Sequence, residues 1–191
     1  MPRYSFGQTQ QTSCGAVALA TAVAELNQTG GGNIGNQEGQ LFNQIKYKDN
    51  SGSDPALIAF HAAKVMMKKV TILEDEKRTG TLLAQMPAGV KAKYGAFKSY
   101  EPHPNTGIKV EARGLTAADL TTGARAMIVA IIAGTDLMHF LLLRQDAGAV
   151  WIMNPDGGTD QQFAFNSLAS QTFTAGNVNY IYTGIAILVS N

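Results

Sequence analysis

The sequence predicts an α+β fold, and two observations carry that expectation. Apolar residues recur at helical spacing through the N-terminal half, whereas the C-terminal half is a series of short runs rich in Val, Ile, Leu and Tyr, separated by Gly, Asn and Asp. Helices first and strands later imply a helical half packed against a mostly antiparallel sheet. With 191 residues, 45% of them hydrophobic and 15% charged, the chain has globular composition and the length for one substantial core. A single domain over residues 1–191 is therefore expected.

The first helix follows Cys14. Ala16, Val17, Ala18, Leu19, Ala20, Ala22, Val23, Ala24 and Leu26 make it apolar almost all round, so it is expected to be buried. Ser13 or Thr12 stands where a helix cap is needed. The glycine-rich run Thr29 to Asn36 reads as a surface loop. Glu38 to Lys48 carries Leu41, Phe42 and Ile45 at helical spacing, and Asp54-Pro55 opens a stronger helix that the spacing extends through Lys69. His61 lies on that helix's apolar face and reads as a partly buried structural residue.

Val70 to Leu73 is a short strand, and Glu74 to Met86 a further helix. Pro87 to Gly107, rich in Gly, Pro, Lys and aromatic residues, reads as a long irregular excursion, either a substrate wall or a surface connection, with His103 solvated between two prolines. Strands are then expected at Ile108–Ala112, Ala126–Ala133, Leu137–Arg144, Val150–Met153, Val178–Tyr182 and Ile185–Val189.

Chemistry concentrates at Cys14, the single cysteine. A thiol at a helix start meets free N–H groups and the positive end of the helix dipole, both of which favour the thiolate. Gly15 is read as keeping the approach to the sulfur open. Gln8, six positions earlier, can fold back and donate to a developing oxyanion. A thiolate nucleophile also needs a base and a group that orients the base. His139 begins one expected strand and Asn154 ends the next, and the Asp146-Ala147-Gly148 turn between them implies a hairpin that sets the two side by side.

Gln8, then Cys14-Gly15-Ala16 and a helix, then His139-Phe140-Leu141-Leu142-Leu143 and Asn154-Pro155, resembles the active-site pattern of papain-like cysteine peptidases. The resemblance is greatest to the branch that trims double-glycine leaders from bacteriocin precursors. It implies a papain-like fold and acyl transfer, with Cys14 as nucleophile, His139 as base, Asn154 as orienter and Gln8 in the oxyanion hole. Many members of that branch have Asp before the proline, so Asp156 is a second candidate orienter. The implied substrate is a protein or peptide, and no cofactor is required.

Other classes are disfavoured. A formal net charge of +1 provides no basic field for nucleic acid, and one cysteine excludes an intramolecular disulfide or a multi-cysteine zinc site. The three histidines fall in separate segments without metal-ligand spacing, and no phosphate-binding glycine loop occurs, so the transporter parts of many leader peptidases are missing. The apolar run Ala126–Ala133 is too short to span a membrane, and the N-terminus lacks the apolar core of a secretory signal. Synthesis in the cytoplasm without a signal peptide is expected. Delivery to another cell as an effector or toxin, restrained by a cognate immunity protein over the active site, is one expected role. Leader maturation is the rival peptidase role. The same triad also serves glutamine deamidases and acyltransferases, and a degenerate binding module is the non-enzymatic alternative.

Overall fold

The computed structural model describes residues 3–30, 34–85 and 107–191. Helices α1 (Cys14–Asn27), α2 (Ile34–Ile45) and α3 (Pro55–Lys64) come first, followed by β1 (Lys69–Glu74), α4 (Glu76–Gln85) and β2 (Ile108–Glu111). The remainder is β3 (Ala124–Ile132), β4 (Met138–Asp146), β5 (Ala149–Asn154), β6 (Thr159–Gln162), β7 (Phe173–Ala175) and β8 (Val178–Ser190). The strands form one sheet in the order β2-β1-β8-β3-β4-β5-β6, with β7 also paired to β8. Among the described strands only the β1–β2 pair is parallel. The α+β expectation therefore holds, with a mixed, mostly antiparallel sheet.

Alternation along the strands divides the core in two. Phe140 and Leu142 of β4, with Met127 and Val129 of β3, face the helices and join the cluster containing Cys14, Ala18 and Leu19. Leu141 and Leu143 point the other way and pack with Ile128, Phe173 and Tyr180. Small side chains let α1 lie deep between α2 and the sheet, and every residue from Cys14 to Ala22 is buried.

Several boundaries differ from expectation for identifiable reasons. The third helix stops at Lys64 instead of Lys69, because Val65 and Met66 both donate back to the His61 carbonyl and Met67 turns to positive φ. Lys69 to Glu74 then gains a full ladder against β8. The second helix begins at Ile34, inside the expected loop. The two expected C-terminal strands are one, since the chain bulges around Thr183-Gly184 and the Thr183 hydroxyl donates to the Val129 carbonyl, bridging the gap in the ladder. β6 carries no apolar residue and β7 is only three residues long, so neither gives a strand signal in sequence, and both are made by pairing with a neighbour. The expected excursion at 87–107 and His103 lie outside the described residues, apart from Gly107.

One polar cluster lies inside the helix-facing core. Glu25 of α1 is completely buried and pairs with Arg125 of β3 at 2.5 Å and with Arg144 of β4 at 3.2 Å. The two arginines are cross-strand neighbours, and Arg144 also pairs with Asp160 at 2.9 Å. Glu25 further accepts the backbone N–H of Tyr4, while Arg144 donates to the Tyr4 carbonyl. Removing one member of such a cluster strands the others as uncompensated buried charge. Glu25→Ala is therefore expected to lower unfolding free energy by about 3–5 kcal/mol, read by urea denaturation.

Candidate active site

The N-terminal segment reaches the site along a tied path. Arg3 pairs with Asp146 and Asp160 and stacks over Trp151, with its guanidinium carbon 3.4 Å from the ring centroid. Gly7 then passes so close to Gly158 that a Cβ on Gly158 would stand 2.7 Å from the Gly7 nitrogen. The next residue, Gln8, donates its backbone N–H to the Pro155 carbonyl at 2.8 Å. The candidate oxyanion residue is thereby fastened to the turn that follows Asn154. Its side-chain Nε2 donates to the Gln11 carbonyl at 3.2 Å, and a carboxamide nitrogen carries a second hydrogen available to the cleft.

Residues 9–13 are held from behind by Glu38. This carboxylate, 1% exposed, accepts from the backbone N–H groups of Thr9 and Gln10 and from the hydroxyls of Thr9 and Ser13. Burial pushes its pKa up, but the donors from Ser13, Thr9 and Gln10 outweigh that and leave it below the ordinary value. Ser13 is at the cap position of α1 yet makes no side-chain capping bond, because its hydroxyl is directed to Glu38 and the Gln10 carbonyl. The expected side-chain cap is absent, and the first N–H groups of α1 remain for the thiol and for an oxyanion.

Cys14 is only 5% exposed, more enclosed than a thiol at a helix start is expected to be, and it lines a cleft of about 590 Å³. Burial pushes the thiol pKa up. The facing His139, with N–H groups of Phe140 and Gly15, more than compensates, so the net shift is downward. Gly15 serves packing and not access: a Cβ there would lie 2.5 Å from the Ser53 Cβ and 2.9 Å from Ile58 Cδ1.

His139 and Asn154 meet as the hairpin predicts. Ala147 and Gly148, both at positive φ, form the two-residue turn that joins β4 to β5. The register pairs Leu142 with Met153, which puts Asn154 diagonally across from His139 on the same face. Asn154 Oδ1 lies 2.8 Å from His139 Nε2. The orientation of the carboxamide follows from its other partners: Oδ1 accepts the Asp156 N–H at 2.9 Å, while Nδ2 donates to the Ala175 carbonyl and to the Tyr180 hydroxyl. A carbonyl only accepts and an N–H only donates, so Oδ1 must face the imidazole. Nε2 then carries the ring proton, and Nδ1 is left to take a proton from Cys14. Burial disfavours the imidazolium, but the Cys14 sulfur, Asn154 and the Asp156 carboxylate raise the His139 pKa overall. The ring stacks on Tyr180 with centroids 5.4 Å apart.

Gln8, Cys14, His139 and Asp156 all line the cleft, and Asn154 stands behind His139. Asp156 acts through its charge and through its N–H on Asn154, while the direct contact with the ring belongs to Asn154. His61 is buried on α3 with its pKa lowered by burial and does not line the cleft. Glu38, Ser53 and Tyr180 were not singled out by sequence reasoning. Glu38 carried a signal: Ile34, Glu38, Leu41, Phe42 and Ile45 form the buried face of α2, and a carboxylate on an apolar face needs a donor set. No protein-family model matches the chain. No curated protein matches it either.

Two outcomes follow from these charges. Alkylation of Cys14 by iodoacetamide is expected to stay fast below the ordinary thiol pKa of about 8.5, and His139→Ala should move the half-rate point upward. An unmoved profile would dissociate the two residues. Glu38 has a depressed folded-state pKa, so its stabilisation is complete above the ordinary glutamate value of about 4.3 and is lost as pH falls through the lower folded value. Glu38→Gln should cost about 1–3 kcal/mol at neutral pH, and the difference from wild type should shrink in acid, as measured by denaturation at several pH values.

Proposed function

We propose that this chain is a papain-like cysteine peptidase acting on a protein or peptide substrate. The observation that supports the reading most directly is the fixed Asn154 carboxamide, which holds His139 in the tautomer able to accept a proton from Cys14. In the proposed reaction His139 Nδ1 takes the thiol proton and the Cys14 sulfur bonds to the substrate carbonyl carbon. The oxyanion is held by the Gln8 amide and the backbone N–H of Cys14. Collapse of that intermediate breaks the C–N bond, and the imidazolium delivers its proton to the leaving amine. Water, deprotonated by the same imidazole, then attacks the thioester, releases the acid and restores the thiol. No further group is needed for proton balance.

An effector role belongs to the same proposal, with a cognate immunity protein seated over the cleft that Cys14 and His139 line. The test is to expose a bacterial proteome to the purified protein and map new N-termini. Cleavage sites are expected with wild type and none with Cys14→Ala or His139→Ala. Asn154→Ala should lower kcat/KM at least about tenfold, and more than Asp156→Ala does, because of the two it is Asn154 that contacts the ring. The reverse ranking would transfer the orienting role to Asp156. Glutamine-to-glutamate conversion without new N-termini would replace peptidase by deamidase.

A further inference from the structure

The chain is nearly balanced in charge, with 15 Lys+Arg against 14 Asp+Glu, but its cleft is not. Asp49, Asp136 and Asp156 line it, and no lysine or arginine does so among the described residues. They come from three separate loops, between α2 and α3, between β3 and β4, and between β5 and β6. All three are exposed, and neither Asp136 nor Asp156 has a cationic partner among the described residues. Two of the three charges act on groups of the cleft wall, Asp156 on His139 and Asp49 on Tyr47. Among the described residues no three His, Cys, Asp or Glu side chains converge closely enough to hold a metal ion. The feature is a field over the cleft mouth, of the kind that concentrates an organic cation.

Two further observations point to a ligand. Ser53, 3% exposed, lines the cleft, and its Oγ has no hydrogen-bond partner among the described residues. It stands against Gly15, next to the nucleophile, where a polar group of a bound chain would satisfy it. The wall that carries Asp136 also carries apolar surface, with Ile132, Met138 and the 59% exposed Leu137. An apolar strip ending in carboxylates matches a side chain with an aliphatic stem and a charged head.

We propose that the cleft selects protein segments bearing a lysine or arginine beside the bond attacked by Cys14, with the stem against Ile132, Leu137 and Met138 and the cation among Asp49, Asp136 and Asp156. This rests on the peptidase reading, so the test has one arm that does not require turnover. Cys14 is labelled with cationic, neutral and anionic methanethiosulfonates of equal length, and the rates are normalised to those of 2-mercaptoethanol. The cationic-to-anionic ratio is expected to exceed that of the small thiol at least about fivefold, to fall in Asp49→Asn and Asp136→Asn, and to fall further in the double variant. Thermal unfolding checks that the variants fold. A ratio equal to that of the small thiol, or one unmoved by both substitutions, overturns the proposal. In the second arm, peptides with Lys or Arg at each position flanking the cut should show kcat/KM at least about tenfold above their Ala counterparts, and Asp136→Asn should erase that advantage while sparing the Ala peptides. Cleavage indifferent to charge overturns the proposal and leaves the peptidase standing. Cation-selective labelling with no cleavage of any peptide or protein does the reverse, retaining cation selection by the cleft and removing the peptidase.

Discussion

The buried carboxylate of Glu25 is the constraint on which the rest of the molecule depends. It sits on α1, and its oxygens meet Arg125 and Arg144 of the two strands that carry the centre of the sheet. α1 is packed on the sheet by small, buried apolar side chains, and the Glu25 ion pairs add a directional contact to that packing. Glu25 thereby ties to the centre of the sheet the same helix that starts at Cys14, eleven residues earlier (25 − 14 = 11). The same carboxylate accepts the Tyr4 N–H, so the segment leading to Gln8 hangs from the same point. Stability and site geometry are thus coupled through one side chain.

The residues around the thiol divide between those that carry charge and those that hold direction. Asn154 is neutral, and its four hydrogen-bonding contacts leave it a single orientation, which in turn leaves His139 a single tautomer. An aspartate in its place would lose the donors to Ala175 and Tyr180 and would put a formal charge in a site where Asn154 is 2% exposed. Asp156, two residues on and exposed, adds negative potential without that cost. Glu38 plays the complementary part on the other side of the thiol, fixing the backbone of residues 9–13 while diverting the Ser13 hydroxyl from the helix end. The first turn of α1 therefore keeps its N–H groups for negative charge, and the thiol, though buried, titrates below its ordinary value.

Much of this is legible in the sequence. The apolar run after Cys14, the Asp54-Pro55 helix start and the β-rich runs from Ile108 onward all map onto helices or strands, because local composition and capping are properties of a few neighbouring residues. The Asp146-Ala147-Gly148 turn predicted the hairpin, and the hairpin predicted that His139 and Asn154 lie side by side; the structure narrows the turn to Ala147-Gly148 and fixes the register. Illegible were the features that depend on partners far along the chain. β6 and β7 exist only because a neighbouring strand offers its ladder, and β8 continues through Thr183-Gly184 only because Val129 lies opposite.

The sequence by itself determined the α+β class, the placing of Cys14 at a helix start and the pairing of His139 with Asn154, all of which are consequences of short-range geometry. Only the tertiary structure decided how those parts face one another. It assigned Gly15 to close packing against Ser53, removed the side-chain cap from Ser13, chose Asn154 over Asp156 for the ring contact, and turned Glu25 and Glu38 from polar interruptions on apolar helix faces into the clamps that align the site. The physical reason is common to all four. Each depends on which distant donor, acceptor or Cβ occupies the space beside the residue, and that is a property of packing between elements, which no local pattern encodes.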